Sequence, residues 1–141
     1  NFRITTSNGE IIESKFIVNA TGVYADKVHN LICQESFTIT PRRGQYFVMD
    51  KSQGPLFKST LFQCPSKLGK GILITPTVHG NLLIGPDAED LDDKEDLKTT
   101  INGLDFIRDT INMTTKKVNF RETIRNFAGL RAVLFSSHSI S

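Results

Sequence analysis

At 141 residues and 15.8 kDa the chain has the size of one ordinary domain, and it can bury roughly 68–70% of its unfolded surface without disulfide or metal staples. Its 38% hydrophobic and 23% charged residues exclude a disordered, collagenous or disulfide-rich chain, and no apolar run approaches the ~20 residues of a membrane-spanning helix. The net charge of +2 is uneven: residues 87–96 hold seven acids and one lysine, net −6, which leaves a moderately basic remainder that fits a soluble surface of mixed charge first, and also an anionic ligand or a nucleic acid.

The chain opens at Asn1 on Phe2-Arg3-Ile4-Thr5, which reads as strand, and no basic and apolar leader precedes it. The expectation is an internal piece of a larger protein. Residues 2–7 and 10–18 flank Asn8-Gly9, predicting a hairpin with a type I′ turn, in which both central residues take positive φ. Phe16-Ile17-Val18 ends the second arm as a continuous apolar run, suited to a strand buried on both faces. Beyond Asn19-Ala20-Thr21-Gly22, the residues Tyr24, Val28, Leu31 and Ile32 recur at helical spacing, and Thr21 is the expected N-cap.

Pro41-Arg42-Arg43-Gly44 leads into a predicted strand over 45–50, with Tyr46 and Val48 on one face and Phe47 and Met49 on the other. Residues 56–63 read as a further strand and 65–71 as a loop. A second hairpin over 72–78 and 81–85 turns at His79-Gly80, with His79 taking the left-handed region. The acidic run opens a predicted long helix over 93–111, with Asp92 and Glu95 as an outline capping box and acids favoured in the first turn. Its apolar stripe is Leu97, Ile101, Leu104, Ile107 and Ile111. A last strand over 117–127 alternates Val118, Phe120 and Ile124 against Lys117, Arg121 and Arg125. These elements predict an α+β fold: a mostly antiparallel mixed sheet with one long helix, preceded by a hairpin, strand and helix.

Most chemical signatures are missing. There is no Ser-His-Asp pattern and no Walker loop. Gly69-Lys70-Gly71 runs into Ile72-Leu73-Ile74 where a dinucleotide fingerprint needs a third glycine and a helix. Cys33 and Cys64 lack metal-ligand spacing and read as two buried free thiols of a reducing cytoplasm, and no metal site is expected. No nucleic-acid motif appears. Three arrangements remain: small residues Ala20-Thr21-Gly22 at a strand-to-helix turn, Arg42-Arg43-Gly44 leading a strand, and basic side chains from Arg125 to Arg131. Small residues allow close backbone approach, and arginine suits an anion.

The same stretches, in the same order, resemble the FAD-dependent oxidoreductases of the glycerol-3-phosphate dehydrogenase and D-amino-acid-oxidase type. Ile17-Val18-Asn19-Ala20-Thr21-Gly22-Val23-Tyr24-Ala25 is similar to that family's segment where a flavin-domain strand approaches FAD. Pro41-Arg42-Arg43-Gly44-Gln45-Tyr46 resembles the opening of its substrate domain. The run from Gly71 to Pro86, with Thr75-Pro76-Thr77 and Gly80-Asn81, resembles its Thr-Pro-Thr hairpin, and Phe127-Ala128-Gly129-Leu130-Arg131 its Ala-Gly-Leu-Arg segment near the flavin. The family's Gly-rich fingerprint is not among these residues, and Ala132 stands where many relatives have Pro.

The resemblance implies residues 1–40 as part of an FAD-binding domain, 41–128 as substrate domain and 129–141 as a return segment. It implies FAD contacts at Ala20, Thr21, Gly22 and Gly129, and a small anionic substrate bound by Arg131, Arg125, Arg43 and Tyr46. The parent is then expected to oxidise sn-glycerol 3-phosphate to dihydroxyacetone phosphate in the cytoplasm, with peripheral membrane association left open. The isolated piece is expected to be inactive and not to retain FAD. Two alternatives stay open: a 2-hydroxy-acid oxidoreductase of the 2-hydroxyglutarate type, and a non-catalytic anion-binding module. No catalytic base is assigned.

Overall fold

The computed structural model describes residues 1–63 and 71–135. The expected loop over 65–71 thus lies almost wholly outside the described residues, as do Cys64 and the end of the return segment. β1 (Phe2–Thr5) and β2 (Ile11–Ser14) form the first antiparallel hairpin, with Phe2 opposite Ser14 and Thr5 opposite Ile11. Its turn is not type I′. Gly9 N donates to Thr6 O (2.9 Å), Thr6 N donates to Glu10 O (2.9 Å), and Gly9 alone is left-handed at φ +84°. That is a type I turn closed by a left-handed glycine, which leaves Asn8 in the ordinary region. The β5 (Leu73–Pro76) to β6 (Leu82–Gly85) hairpin repeats it: Gly80 takes φ +87° and His79 is not left-handed.

Two expectations fail between 14 and 32. β2 stops at Ser14, and Phe16 and Val18 are 83% and 87% exposed instead of forming a strand. A strand buried on both faces needs a neighbour on each edge, and no described strand pairs with 16–18. The following helix is short, a 3-10 turn over Gly22–Tyr24 and then α1 (Ala25–His29). The Thr21 hydroxyl donates to Asn19 Oδ1 (2.7 Å) and caps nothing. Leu31 and Ile32 are exposed, so continuing the helix would bury no apolar face.

The large sheet is organised by β3 (Thr38–Met49), which begins well before the expected strand. One edge pairs antiparallel with β8 (Thr123–Phe135), from Thr38 opposite Phe135 to Met49 opposite Thr123, with an irregularity at Val48/Met49. The other edge takes β6 at residues 47–49 and β7 (Glu89–Asp90) at Arg42 and Arg43. β5 lies outside β6, and β4 (Leu61–Phe62) outside β5. Among the described residues every pairing is antiparallel, in line with the mostly antiparallel sheet expected, though no parallel pair makes it mixed. The expected strand over 56–63 shrinks to β4, and its first residue, Leu56, ends a 3-10 turn over Lys51–Leu56 that Asp50 caps by accepting from Ser52 N (2.9 Å). Likewise Asn119 caps a 3-10 turn over Phe120–Glu122, so β8 starts later and runs on through Arg131. That turn breaks the alternation, and Ile124 is exposed, unlike Val118 and Phe120.

The long helix α2 (Ile101–Thr114) begins eight residues later than its pattern suggested. Thr100, in extended backbone, accepts from Gly103 N (3.2 Å) and is the actual N-cap. Ile107 and Ile111 are buried and Leu104 packs partly buried beside them, whereas Leu97 and Ile101 are exposed. The acids before it do not serve the helix dipole. Glu89, Asp90 and Asp96 pair with arginines of β3, and it is Lys94 that reaches α1, at Asp26. The core joins α2 to Phe47, Met49, Ile74, Leu82 and Ile84, and the Arg108 guanidinium covers the Phe47 and Phe120 rings.

Candidate functional site

Alternation along β3 separates two environments. Pro41, Arg43, Gln45, Phe47 and Met49 are all buried, on the face that carries the core. Arg42, Gly44, Tyr46 and Val48 point to the other face. There they oppose Arg131, Gly129, Phe127 and Arg125 of β8, and directly opposed residues share a face. The rings of Tyr46 and Phe127 confirm it by stacking, centroids 5.0 Å apart and planes 10° off parallel. This second face is the open one: Arg125 and Arg131 are exposed and Phe127 is 38% exposed.

The structure thus brings Tyr46, Arg125, Gly129 and Arg131 together, and sets Arg43 apart. Arg43 is 3% exposed, donates from Nη2 to Glu89 Oε2 (2.6 Å), and lies with Nη1 3.2 Å from Asp96 Oδ2. The Glu89 hydrogen bond, outweighing burial, raises its pKa, with the charges of Glu89, Asp96 and Asp87 adding. Its neighbour Arg42 does face the open side, but Nε and Nη2 are bound by Asp90 in a fork (2.5 and 2.8 Å). That fork holds the Asp90 carboxyl below the usual range despite partial burial, and the Arg42 and Arg131 charges add to it. Two arginines of the predicted pair of basic stretches are therefore neutralised by the acidic run.

Arg131 and Arg125 are not. Among the described residues neither forms an ion pair. Arg131 Nη2 donates once, to the backbone carbonyl of Asp87 (3.1 Å), and lies 3.5 Å from where a Gly44 Cβ would stand. What excludes a side chain at Gly44 is Pro86, whose Cβ a Gly44 Cβ would meet at 2.8 Å. Across the strand pair, a Cβ on Gly129 would meet nothing within 4 Å. Bare backbone, a stacked aromatic pair and two free cations thus share one surface. Such a surface offers space against bare backbone for a flat ring and forked donors for an anion.

Ala20, Thr21 and Gly22 are exposed at the start of the 3-10 turn, which packs on both β3 and β8. Gly22 is left-handed at φ +59°, with open space where a Cβ would stand. Asn19 Nδ2 donates to Ala25 O (2.8 Å) and fixes the segment's shape. What anchors it to the sheet is Asp26, which sequence reasoning missed. Its carboxylate accepts from Lys94 Nζ (2.5 and 2.6 Å), Ile39 N (2.9 Å) and Lys27 N (2.8 Å). Burial opposes the charge, but these bonds, Lys94 first, hold its pKa at about 2. Tyr24 OH adds a hydrogen bond to Glu95.

The chain matches the family described as FAD dependent oxidoreductase over residues 1–140. It belongs to that family. It is similar to the glycerol 3-phosphate dehydrogenase of Caloramator mitchellensis, 54% identical over 131 residues, covering 93% of this chain and 27% of that protein. Among solved structures it is similar to the dithionite-reduced L-α-glycerophosphate oxidase of Mycoplasma pneumoniae with FAD bound. That likeness has a TM-score of 0.73 at 32% identity and covers 84% of this chain and 31% of the other. The mitochondrial L-2-hydroxyglutarate dehydrogenase of Mus musculus is 30% identical over 88 residues, 60% of this chain and 19% of that protein. The chain spans under a third of the length of each of these relatives. Among the described residues no helix is long and apolar enough to cross a membrane.

Proposed function

We propose that the whole protein containing these residues oxidises sn-glycerol 3-phosphate to dihydroxyacetone phosphate. The observation that carries this reading is Arg131: an exposed guanidinium with no carboxylate partner among the described residues, placed beside bare Gly129 and the Tyr46–Phe127 stack. The likeness to a glycerol 3-phosphate dehydrogenase at 54% identity names the anion. FAD, when bound, supplies the two-electron acceptor for the hydride. Ala20, Thr21, Gly22 and Gly129 are the residues of this chain that would touch it, and the open space at both glycines fits a close planar neighbour. Arg131 binds the substrate's anionic group with forked donors and stays charged at any working pH, Arg125 adds a second cation on the same face, and Tyr46 walls the site.

On this reading residues 1–40 belong to the FAD-binding domain, 41–128 to the substrate domain and 129–141 to the return segment, in a cytoplasmic protein with no nucleic-acid partner. Cys33, expected as a buried thiol, is exposed in the chain after α1, and a free thiol there suits a reducing compartment. The second reading, a 2-hydroxy-acid oxidoreductase, draws on the likeness to the hydroxyglutarate dehydrogenase. The deciding experiment is a substrate panel on the full-length protein. Bleaching of the flavin band near ~450 nm by glycerol 3-phosphate, and not by 2-hydroxyglutarate, supports the first reading. The reverse result supports the second, and a protein without flavin is a binding module.

A further inference from the structure

The Arg131 guanidinium is held by a backbone carbonyl, and that carbonyl is itself held by an unusual arrangement. Asp87 is 7% exposed and enters no ion pair among the described residues. Its carboxylate instead accepts from Gln45 N (2.6 Å) at Oδ1 and from Gln45 Nε2 (2.7 Å) at Oδ2. Gln45, fully buried, accepts at Oε1 from Thr100 N (2.6 Å), and its Nε2 also lies 3.3 Å from the Thr100 hydroxyl. Thr100 caps α2, and Gly103 of its first turn packs so closely that a Cβ there would overlap the Gln45 amide and Asp87 Oδ2. A chain of bonds therefore runs from the helix N-terminus through Gln45 and Asp87 to Arg131. It crosses the sheet from the core face to the open face.

We propose that Asp87 is a positioning residue for Arg131, and that the Gln45 and Thr100 amides set where the substrate's anion is bound. This deepens the proposed function and rests on its assignment of Arg131. Both carboxylate oxygens of Asp87 face donors, so its backbone is pinned at a point where only an acceptor-only side chain fits. The carbonyl of the same residue then presents a fixed acceptor to Nη2, and the remaining guanidinium donors are left for the ligand. A burial-only role for Asp87 is disfavoured by its chemistry, because a carboxylate inside a fold is retained at a desolvation cost that an apolar residue would avoid.

The test uses the full-length flavoprotein with glycerol 3-phosphate. Asp87→Asn replaces one acceptor oxygen by an amide that faces a Gln45 donor. It should raise KM roughly tenfold, with kcat within about twofold and flavin content unchanged. Gln45→Met keeps the backbone bond to Oδ1 and loses the side-chain ones, so it should raise KM by about threefold, and it carries the test if Asp87→Asn fails to fold. Arg131→Lys should raise KM by itself, and Asp87→Asn added to it should raise KM no further, because both act through one guanidinium. Additive effects, or an Asp87→Asn variant whose kcat falls as its KM rises, overturn the positioning role. If Arg131→Lys raises KM while Asp87→Asn and Gln45→Met leave it unchanged, the relay is wrong and the substrate reading stands. If Arg131→Lys itself leaves KM unchanged, the substrate reading falls and takes the relay with it.

Discussion

Replacing Lys94 by methionine removes an ammonium from a buried carboxylate while keeping most of its aliphatic stem. Lys94 and Asp26 have side chains 12% and 9% exposed, so the pair is largely screened from solvent ions. Asp26 titrates at about 2 in the fold against 3.8 for a free carboxyl, which corresponds to roughly 2 kcal/mol at neutral pH. Breaking a buried pair on one side usually costs about 3–5 kcal/mol. Here the Ile39 and Lys27 amides still hold the carboxylate, so about 2–3 kcal/mol is expected. Because the folded pKa is depressed, this stability is fully present above the unfolded value and is lost as pH falls through the folded one. Paired urea titrations of the full-length protein and Lys94→Met at pH 7 and pH 3 read the difference. The gap should shrink to about half at pH 3. The double variant Asp26→Asn/Lys94→Met should be more stable than Lys94→Met alone, since no orphaned charge remains. A gap equal at both pH values, or none at pH 7, would refute the argument.

Ile107→Ala should cost about 2–5 kcal/mol, and Ile101→Ala, at an exposed position of the same helix, less than about 0.5 kcal/mol; thermal unfolding of the two variants checks which face of α2 is buried. Thr100→Ala should lose about 1 kcal/mol by removing the α2 cap, read in the same assay. Gly80→Ala forces a side chain onto φ +87° and should cost about 1–2 kcal/mol, although a Cβ there meets nothing within 4 Å. The 141-residue chain purified in excess FAD should show no stoichiometric flavin band, because it lacks the Gly-x-Gly-x-x-Gly turn that holds the pyrophosphate; a visible spectrum decides this.

The sheet was legible where alternation is strict and turns are marked by glycine. Tyr46 and Val48 against Phe47 and Met49, and the hairpins at Gly9 and Gly80, stand as the pattern implies. What pattern could not give was the extent of elements whose ends are set by single side chains. Asn119 and Asp50 each accept from a backbone amide two residues on; Asn119 turns part of a predicted strand into a 3-10 turn, and Asp50 starts one in the gap between two predicted strands. The start of α2 fell to the same cause. Asp92 and Glu95 outline a capping box, yet Thr100 is the residue with extended backbone and a free amide in front of it. Phe16-Ile17-Val18 shows the other limit, since strand character is completed only by neighbours across its edges.

The acidic run is where local and long-range readings part most clearly. Read along the chain, Asp87 to Asp96 looks like one feature with one electrostatic purpose, the first turn of a helix. In space its members have separate partners: Gln45 for Asp87, Arg43 for Glu89 and Asp96, Arg42 for Asp90, with Lys94 reaching Asp26. Three of those partners lie within residues 42–45, and β7 pairing with Arg42 and Arg43 is what brings the acids to them. The consequence for the site is selective neutralisation. Four arginines were expected to offer cations or to flank them, and the run takes Arg42 and Arg43 out of play while leaving Arg131 with a carbonyl. Among the described residues that leaves two exposed guanidinium groups without a carboxylate partner, Arg125 and Arg131, and both stand on the open face.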